Sequence, residues 1–459
     1  MDKLLDARKK INSVDSKMAK LFEERMEAVR EVAAYKAEHA LPILDASREV
    51  EIIANNSSFI KNESIKAHYI NFLKNNIKIS RSYQAELYPE LSSGILYEKD
   101  NVKRIHINLD KDSYDIILGC DLLSQAKEYL NLNRKVLVLT DSGVPSDYAK
   151  AIAQNCKESF IYTVEQGEES KNIANFEAIL QFMAQNRFTR TDCVVAVGGG
   201  VVGDLAGFVA ASYMRGIDFY NVPTTLLSQV DSSIGGKVAI DLGGYKNIVG
   251  AFYQPQCVLI DPETLLTLDI RQIRAGLVES LKMATTSDPV LFEIFESDEY
   301  LNDIEEVILR SLLIKKGIVE RDVNEKGERK VLNFGHTVGH AIESSTDLIH
   351  GEAVAIGMLY MCDESVKTRL LTILDEMGLP LDIEIDAKLL YDFILRDKKA
   401  DGDFITITHG LGHGVGGKGQ DTATHLTDGF LLLKGVAMDD DIPLAFGREG
   451  KLCHATVTP

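Results

Sequence analysis

The sequence predicts a multidomain protein with an all-α three-helix domain over residues 1–90, an α/β region over 102–260 and a mostly α-helical region over 261–459. Three observations predict this division. A chain of 459 residues is longer than one hydrophobic core usually supports. None of its 34 glycines precedes Gly94. Beyond a linker at 91–101, short β-branched apolar runs alternate with helical stretches, which is typical of α/β folds.

The composition narrows the classes of partner and location. With 45% hydrophobic and 26% charged residues the chain reads as an ordinary globular protein. Its net charge of −19 argues against nucleic acid, because duplex binding needs clustered cations. No apolar stretch approaches the roughly 20 residues that span a bilayer. We therefore expect no membrane association, a cytoplasmic location and free rather than paired thiols for the six scattered cysteines.

The first domain has a helical pattern that no glycine or proline interrupts before Pro42. One long helix is predicted over residues 4–38, with further helices from about Ser47 to Phe59 and from about Ile65 to Leu87. The apolar positions of the long helix recur at spacings of three, four and their multiples: Ile11, Val14, Met18, Leu21, Val29 and Val32. A helix of this length is about 50 Å long. Because three such helices make a thin core, we expect a homodimer that covers the apolar stripe.

Two cations lie on or near that stripe. Arg25 and Lys36 are eleven residues apart, which is three turns, so they share a helix face. One interpretation is a snorkelling or salt-bridged side chain. The other is an anion pocket inside a helical bundle, and periodicity does not decide between them.

Residues 4–87 resemble the all-helical type of chorismate mutase. The resemblance rests on LLDARKKI, LFEERMEAV, AAYKAE and LDASREVE, with a one-residue gap before the last matched position. The matched positions are Arg8, Arg25, Lys36, Asp45, Arg48, Glu49 and Gln84.

The chorismate mutase resemblance implies a reaction without a nucleophile or a metal. Chorismate, a dicarboxylate, would be held in one conformer, with donors placed where charge develops on the breaking ether oxygen. Arg8 and Arg25 would bind its carboxylates. Lys36 and Gln84 would face the ether oxygen, and Glu49 would accept the substrate hydroxyl. The resemblance also implies that Arg8 serves the site of the partner subunit.

A glycine-rich turn follows the apolar run CVVAV in the second region. Gly198, Gly200 and Gly203 satisfy GxGxxG between a predicted strand and a helix, which would place backbone N–H groups at a pyrophosphate. The acidic residue expected about 20 positions later would be Asp218, which opens a strand instead of ending one. A standard Rossmann unit is therefore doubtful, and a turn needed only for packing stays open.

The next segment is polar and rich in glycine. It contains Thr224, Thr225, Asp231, Ser232, Lys237, Lys246 and Asn247. We interpret it as a loop whose lysines and hydroxyls bind phosphate and substrate hydroxyls, against the alternative of a solvated loop.

Three histidines fall within fifteen residues of the third region. His336 and His340 are four apart, hence on one helix face, and His350 follows. Glu279 supplies a carboxylate, with Lys282 one turn on. Imidazole and carboxylate ligands suit Zn²⁺ or a similar divalent ion. Spacing alone leaves open which histidines are ligands.

Over about 300 residues the chain also resembles 3-dehydroquinate synthase. The matching stretches are GGGVVGDLAGF, VPTTLLSQVDSSIGGK, GYKNIVGAF, AGLVESLK, RKVLNFGHTVGHAIE and HGEAVAIGM. The resemblance implies Glu279, His336 and His350 as ligands of a divalent metal, zinc or cobalt, and turns His340 towards the substrate. It implies that NAD takes a hydride from a heptulosonate phosphate and returns it after phosphate has left.

The resemblance assigns further roles. The substrate would be held by Lys237, Lys246, Asn247, Lys282, Arg329 and Asn333, with Arg215 reaching the phosphate from a neighbouring subunit. NAD would be held by Asp141, Glu168, Lys171, Gly199, Gly200, Asp204, Thr224, Thr225 and Asp231. One departure is Gly143, where the family commonly has a side chain near the adenosine ribose.

The tail over residues 408–459 stops matching the family pattern. We expect it to be irregular, and we read His409 and His413 as loop residues because glycines flank them. Alternatives for the whole chain are that the first domain is an allosteric sensor of chorismate or prephenate, or that the large domain is another sugar-phosphate cyclase or a polyol dehydrogenase.

Overall fold

The computed structural model describes the residues 2–39, 43, 46–88, 95–97, 102–297, 300–325, 327–381, 400–401, 404–408 and 430–434. The chain divides into two units. The first contains residues 1–107 and 115–119, and the second contains 108–114 and 120–459.

Three helices begin the first unit, as predicted: α1 Asp2–Glu38, α2 Ala46–Ser57 and α3 Lys66–Leu87. Helix α3 contacts both α1 and α2, with Ala33 and Ile77 buried between them. The apolar stripe of α1 stays largely exposed, since Leu21 has 62% of its surface accessible. The stripe is therefore available for a further contact.

Strands follow the helices, and one of them lies inside the predicted linker. They are β1 Ile95–Tyr97, β2 Lys103–Ile107 and β3 Tyr114–Leu118, adjacent in that order. β1 pairs antiparallel with β2, with Ile95 opposite Ile105. The short apolar run ILY explains this pairing, which the linker interpretation did not anticipate.

The α/β region of the second unit is built on parallel strands, as predicted. Its strands are β4 Lys135–Asp141, β5 Glu158–Val164, β6 Cys193–Gly198, β7 Asp218–Pro223, β8 Lys237–Leu242, β9 Tyr245–Phe252 and β10 Cys257–Ile260. Its helices are α4 Ala126–Tyr129, α5 Ser146–Gln154, α6 Ile173–Gln185 and α7 Gly200–Ser212. The parallel order is β10-β7-β6-β4-β5. All of β6 is buried, as its uninterrupted apolar run requires. The carboxyl ends of these strands meet at one edge, where such sheets bind ligands.

The polar segment over residues 224–247 is not a loop throughout. A π-helical turn occupies Ser228–Ser232, and β8 and β9 then form an antiparallel hairpin. Gly243 and Gly244 have φ of 60° and 84° between the strands, a conformation that glycine adopts without strain. The loop interpretation overlooked the alternation of apolar residues in KVAIDL. As a result Lys237, Lys246 and Asn247 are carried on strands.

Helices make up most of the remaining described chain: α8 Ile270–Ser287, α9 Pro289–Glu296, α10 Ile304–Arg321, α11 His336–Ser345, α12 His350–Met361 and α13 Glu364–Glu376. Helix α12 packs closely on α8 at Gly351, where an added Cβ would collide with the backbone of Ala275. Gly335, with φ of 78°, turns the chain into α11. Gly351 lets α12 approach α8, and Gly335, where an added Cβ would meet Met358, lets the start of α11 approach α12.

The end of the described chain is an antiparallel sheet of β11 Ala400–Asp401, β12 Phe404–Thr408 and β13 Phe430–Lys434. The strand β13 lies within the tail that was expected to be irregular, and its apolar run FLLLK accounts for it. His409 and His413 lie outside the described residues. Within the described ranges, no helix combines the length and apolar character needed to cross a membrane.

Candidate active site

Glu279 and three histidines meet where α8, α11 and α12 come together. Nε2 of His350 is 3.5 Å from Oε1 of Glu279, and Nε2 of His336 is 3.7 Å from the same oxygen. Nitrogen atoms of His336, His340 and His350 all lie within 4.8 Å of one another. The structure thus brings together the metal-binding candidates that the sequence placed up to 71 positions apart.

Glu279 is a buried carboxylate whose two oxygens have different environments. It is 1% exposed and its Oε2 accepts a hydrogen bond from Lys282. Although burial opposes ionisation, the charges of Lys282 and His336 hold the pKa of Glu279 well below its ordinary value. Oε1 is buried without a hydrogen-bond partner among the described residues. A buried oxygen of this kind beside two imidazole nitrogens fits a set of metal donors.

The spacing of these donors fits one divalent ion. Ligand atoms about 2.0–2.1 Å from a tetrahedral zinc lie about 3.3–3.4 Å apart, close to the observed 3.5 and 3.7 Å. His340 is near enough to be a donor as well. Geometry by itself therefore accommodates either Glu279 or His340 as the third ligand beside His336 and His350.

The two histidines nearest Glu279 are oriented differently. Nδ1 of His336 faces the carbonyl oxygen of Phe334 at 3.2 Å, whereas Nδ1 of His350 faces the carboxylate of Glu343 at 2.9 Å. Burial lowers the pKa of His336 well below its ordinary value. For His350 burial also opposes the charged form, but the nearby carboxylates of Glu279 and Glu343 raise its pKa to about 9.

The residues predicted to hold the substrate contact acidic side chains near the histidines. Lys237 and Asn333 both donate to the carboxylate of Glu325. Lys246 donates to Glu343 at 2.8 Å. The donors of all three predicted substrate residues are thus engaged by carboxylates of the chain itself.

Three other predicted substrate residues are placed by the backbone. Arg329 is 3% exposed and donates to the carbonyl of Val323, and Gly235, with φ of 93°, leaves room for its guanidinium. The backbone N–H of Asn247 donates to Asp241 at 2.7 Å. Arg215 is exposed and has φ of 71°, a conformation that costs a non-glycine residue some strain.

The predicted cofactor residues divide into a charged corner and a glycine turn. Lys171 is buried and pairs with Glu168 at 2.7 Å and with Asp204 at 3.3 Å. Burial raises the pKa of Asp204 to about 6, against the opposing charge of Lys171.

The glycine turn confirms the strand–turn–helix pattern that the sequence predicted. Gly199 precedes α7, and an added Cβ there would lie 3.0 Å from Thr225. An added Cβ on Gly200 would lie 3.1 Å from Oγ of Ser232, which is buried without a hydrogen-bond partner among the described residues. Thr224 is buried and its N–H donates to Gly198. A cradle of this kind fits a phosphate group at the start of a helix.

Asp141 ends β4 and caps the following turn. Its Oδ1 accepts the N–H groups of Gly143 and Val144 at 2.8 and 3.2 Å. An added Cβ on Gly143 would overlap the side chain of Gln166. The space that the family commonly fills from this position is therefore occupied by Gln166.

In the first unit, the helices bring part of the predicted mutase site together. Arg25 donates to Oγ of Ser80, and Gln84, four residues later on α3, is buried with no partner for Oε1 among the residues that the structure describes. Burial lowers the pKa of Arg25. Nζ of Lys36 donates to the carbonyl of Ile43 at 2.6 Å.

The structure places the other predicted mutase residues on the surface or does not describe their side chains. Arg8 is exposed and Arg48 pairs with Glu51. Asp45 and the side chain of Glu49 lie outside the described residues. The half-buried Arg25 beside the orphan oxygen of Gln84 favours an anion or hydroxyl pocket over a snorkelling side chain.

Comparison with known proteins identifies the larger part of the chain. Residues 161–275 match the family model for the N-terminal part of 3-dehydroquinate synthase, and residues 276–400 match that for its C-terminal part. The 3-dehydroquinate synthase of Clostridium kluyveri is 40% identical over 330 residues, which are 67% of this chain and 92% of the relative. That of Pelobacter propionicus is 42% identical over 320 residues, 64% of this chain and 89% of the relative.

The chain belongs to the 3-dehydroquinate synthase family. Residues 7–85 match the family model for chorismate mutase type II, so the chain is a fusion of the two enzymes. A crystal structure of 2-deoxy-scyllo-inosose synthase with carbaglucose-6-phosphate, NAD⁺ and Co²⁺ is similar to the synthase part. Its TM-score is 0.64 and its identity 26%, over 72% of this chain and 96% of that one. The predicted combination of folds is confirmed.

Sequence reasoning missed three charged residues of the synthase site, namely Lys315, Glu325 and Glu343. Lys315 is buried on α10 and donates to the carboxylate of Asp231 at 2.6 Å, and burial lowers its pKa to about 8. Asp231, predicted as a cofactor residue, is therefore tied to Lys315 on the side of Lys282 and Glu279. The signal was present in SLLIKKGIV, where a lysine falls on the apolar face of a helix.

Proposed function

We propose that the synthase domain converts 3-deoxy-D-arabino-heptulosonate 7-phosphate to 3-dehydroquinate and phosphate, and that the helical domain converts chorismate to prephenate. The observation that carries the first assignment is the orphan Oε1 of Glu279 beside Nε2 of His336 and His350. Lys237, Lys246 and Asn333, which now donate to Glu325 and Glu343, would supply donors to the substrate. A polyanionic sugar phosphate fits this set of charges.

Glu279, His336 and His350 are the proposed ligands of a divalent ion, zinc or cobalt. Such an ion acts as a Lewis acid on substrate hydroxyls, while NAD accepts and returns a hydride. Lys282 keeps Glu279 ionised, and in this proposal His340 would face the substrate. Arg329, Asn247 and Lys237 would bind its phosphate, hydroxyls and carboxylate, with Arg215 contributed by a second subunit.

The proposed NAD site combines the glycine turn with the charged corner. The N–H groups at Gly199 and Gly200 would bind the pyrophosphate, with the hydroxyls of Thr224 and Thr225 beside it. Lys171, with Glu168 and Asp204, would orient the nicotinamide half, and Asp141 would address the adenosine ribose. Ser232, whose buried Oγ lacks a partner among the described residues, joins this set.

In the helical domain, side chains alone would bind the substrate and stabilise its transition state. Arg25 would bind a substrate carboxylate, with Arg8 supplied by the partner subunit of a homodimer. Lys36 and Gln84 would donate to the ether oxygen, and Asp45, Arg48 and Glu49 would complete the pocket. The exposed stripe of α1 supports the dimer.

Location and domain boundaries belong to the same proposal. We place the enzyme in the cytoplasm, as its composition led us to expect. We divide the chain into a mutase domain at 1–90 and a synthase domain from 102 onward.

Phosphate release tests the synthase assignment. The full chain, with NAD and the heptulosonate phosphate, should release phosphate without net change at the nicotinamide absorbance. A chelator should abolish this, and added Zn²⁺ or Co²⁺ should restore it. Mutase turnover in the same sample should not change, since that reaction needs no metal. Stoichiometric accumulation of NADH would instead identify a polyol dehydrogenase.

The variant Arg25→Ala tests the mutase assignment. Loss of a donor that stabilises developing charge should lower turnover of chorismate by about a hundredfold or more. Arg30→Ala is the matched control, because Arg30 is an exposed arginine of the same helix that forms a surface ion pair with Glu27. Unchanged rearrangement in Arg25→Ala would favour a sensor domain without this site.

A further inference from the structure

Glu343 lies beside the proposed metal site without being one of the proposed ligands. It is on α11, seven residues after His336 and three after His340, so all three residues share a helix face. Its Oε2 is 2.9 Å from Nδ1 of His350. Its Oε1 accepts from Nζ of Lys246 at 2.8 Å.

These contacts leave His350 with one available nitrogen. A carboxylate that accepts the N–H at Nδ1 fixes the tautomer in which Nε2 carries the lone pair. That Nε2 is the atom 3.5 Å from the orphan oxygen of Glu279. Carboxylate–imidazole contacts of this kind orient a ligating histidine and make it a better donor.

The environment of His336 provides the contrast. Its Nδ1 faces the backbone carbonyl of Phe334, a neutral acceptor. Only His350 of this pair is therefore linked to a side-chain anion by its outer nitrogen. Lys246, on β9, joins the other oxygen of the same anion and thereby connects the hairpin to α11.

We propose that Glu343 is a positioning residue that fixes the tautomer and orientation of His350 for the metal, with Lys246 balancing its charge. The proposal rests on the assignment of His350 as a ligand. Glu343 touches neither the metal nor the substrate in this scheme. Its effect is on the affinity and coordination of the ion.

The test is a Co²⁺ titration of the metal-stripped full chain, followed by the visible spectrum of the bound ion. Glu343→Gln should weaken Co²⁺ binding by about 10- to 100-fold and alter the spectrum, as expected for loss of an outer carboxylate. Glu343→Asp keeps the charge, so its Co²⁺ affinity should lie between those of the wild type and Glu343→Gln. Thermal unfolding of the metal-free variants checks that the fold is retained.

Two control variants distinguish a role of Glu343 in positioning His350 from a role in holding the hairpin against α11. Glu296→Gln changes a carboxylate that pairs with Arg369 in the same helical region, and it should bind Co²⁺ like the wild type. Lys246→Gln frees Glu343 for His350 alone, so Co²⁺ affinity should not fall. Equal losses in Lys246→Gln and Glu343→Gln would mean that the contact only braces the hairpin, and would overturn the proposal.

The Co²⁺ titration and phosphate release together also distinguish failure of the Glu343 proposal from failure of the proposed synthase function. Wild-type protein that binds Co²⁺ and releases phosphate, together with an unchanged Glu343→Gln, would defeat the positioning role alone. Wild-type protein that binds no Co²⁺ would defeat both.

Discussion

At the scale of single residues, the candidate synthase site depends on buried charged side chains that pair with one another but leave a carboxylate oxygen without a hydrogen bond among the described residues. Glu279 and Lys282 are each 1% exposed and hydrogen-bonded together. An isolated charge at that depth would be neutralised by a pKa shift. The pair keeps the carboxylate ionised and leaves one oxygen for a ligand.

The histidine variants should separate ligand from substrate contact. We expect His336→Ala to lower Co²⁺ affinity by more than the roughly 100-fold that an outer-shell change costs. We expect His340→Ala to retain the metal but to release phosphate about 10²- to 10⁴-fold more slowly, as for loss of an acid–base group. Metal titration and phosphate release measure the two effects. Retention of Co²⁺ by His336→Ala and its loss by His340→Ala would reassign the ligands.

At the scale of elements, the site depends on how closely three helices approach. His350 begins α12 and Glu279 lies within α8, so their distance is set by the packing of these helices at Gly351. The hairpin of β8 and β9 contributes Lys237 and Lys246 from the α/β region. The substrate-binding set therefore combines side chains from strands and from helices.

Gly351→Ala should separate α8 from α12. An added methyl group that meets the backbone of Ala275 should cost about 1–3 kcal/mol of unfolding free energy. It should also weaken Co²⁺ binding, because His350 moves with its helix. Chemical unfolding and metal titration measure these changes.

Gly317→Ala is the control for that prediction. On α10 an added Cβ would meet only the flexible end of Arg321, at 3.3 Å. We expect this change to be neutral or to stabilise the helix by up to about 1 kcal/mol. Equal behaviour of the two variants would contradict the close-packing argument.

At the scale of the whole molecule, one chain carries two catalytic domains that differ in whether their reactions require cofactors. In the proposed mechanisms the mutase domain binds and orients its substrate with side chains alone. The synthase domain would use NAD and a divalent metal. The apolar stripe of α1 is largely exposed in the described chain, and we propose that a second copy packs on it.

Leu21→Glu tests the role of the exposed stripe. Leu21 has 62% of its surface accessible, and a charge there should disfavour a dimer contact by about 1.5–3 kcal/mol per buried leucine. We expect mutase turnover to fall by about tenfold or more while phosphate release persists.

Asn12→Glu is the matched control for Leu21→Glu. Asn12 is exposed and nine residues from Leu21, two and a half turns away on the opposite face of α1. It should leave both activities unchanged. Full mutase turnover in Leu21→Glu would show that the stripe is not part of a functional interface.

The sequence by itself determined the helices of the first domain, the strand–turn–helix at Gly198–Gly200 and the pair of histidines on one helix face. Each of these follows from a local pattern, because helix and strand periodicities and glycine turns are encoded over short stretches. The motifs also identified the family, which the comparisons confirm.

Only the tertiary structure decided which distant charges meet. Lys315 pairs with Asp231 across 84 positions, and Lys246 pairs with Glu343 across 97. No local pattern encodes such contacts, since they depend on how a hairpin and separate helices pack. For the same reason the histidine spacing alone could not show that Glu279 presents an unsatisfied oxygen to His336 and His350, which is the feature on which the proposed chemistry depends.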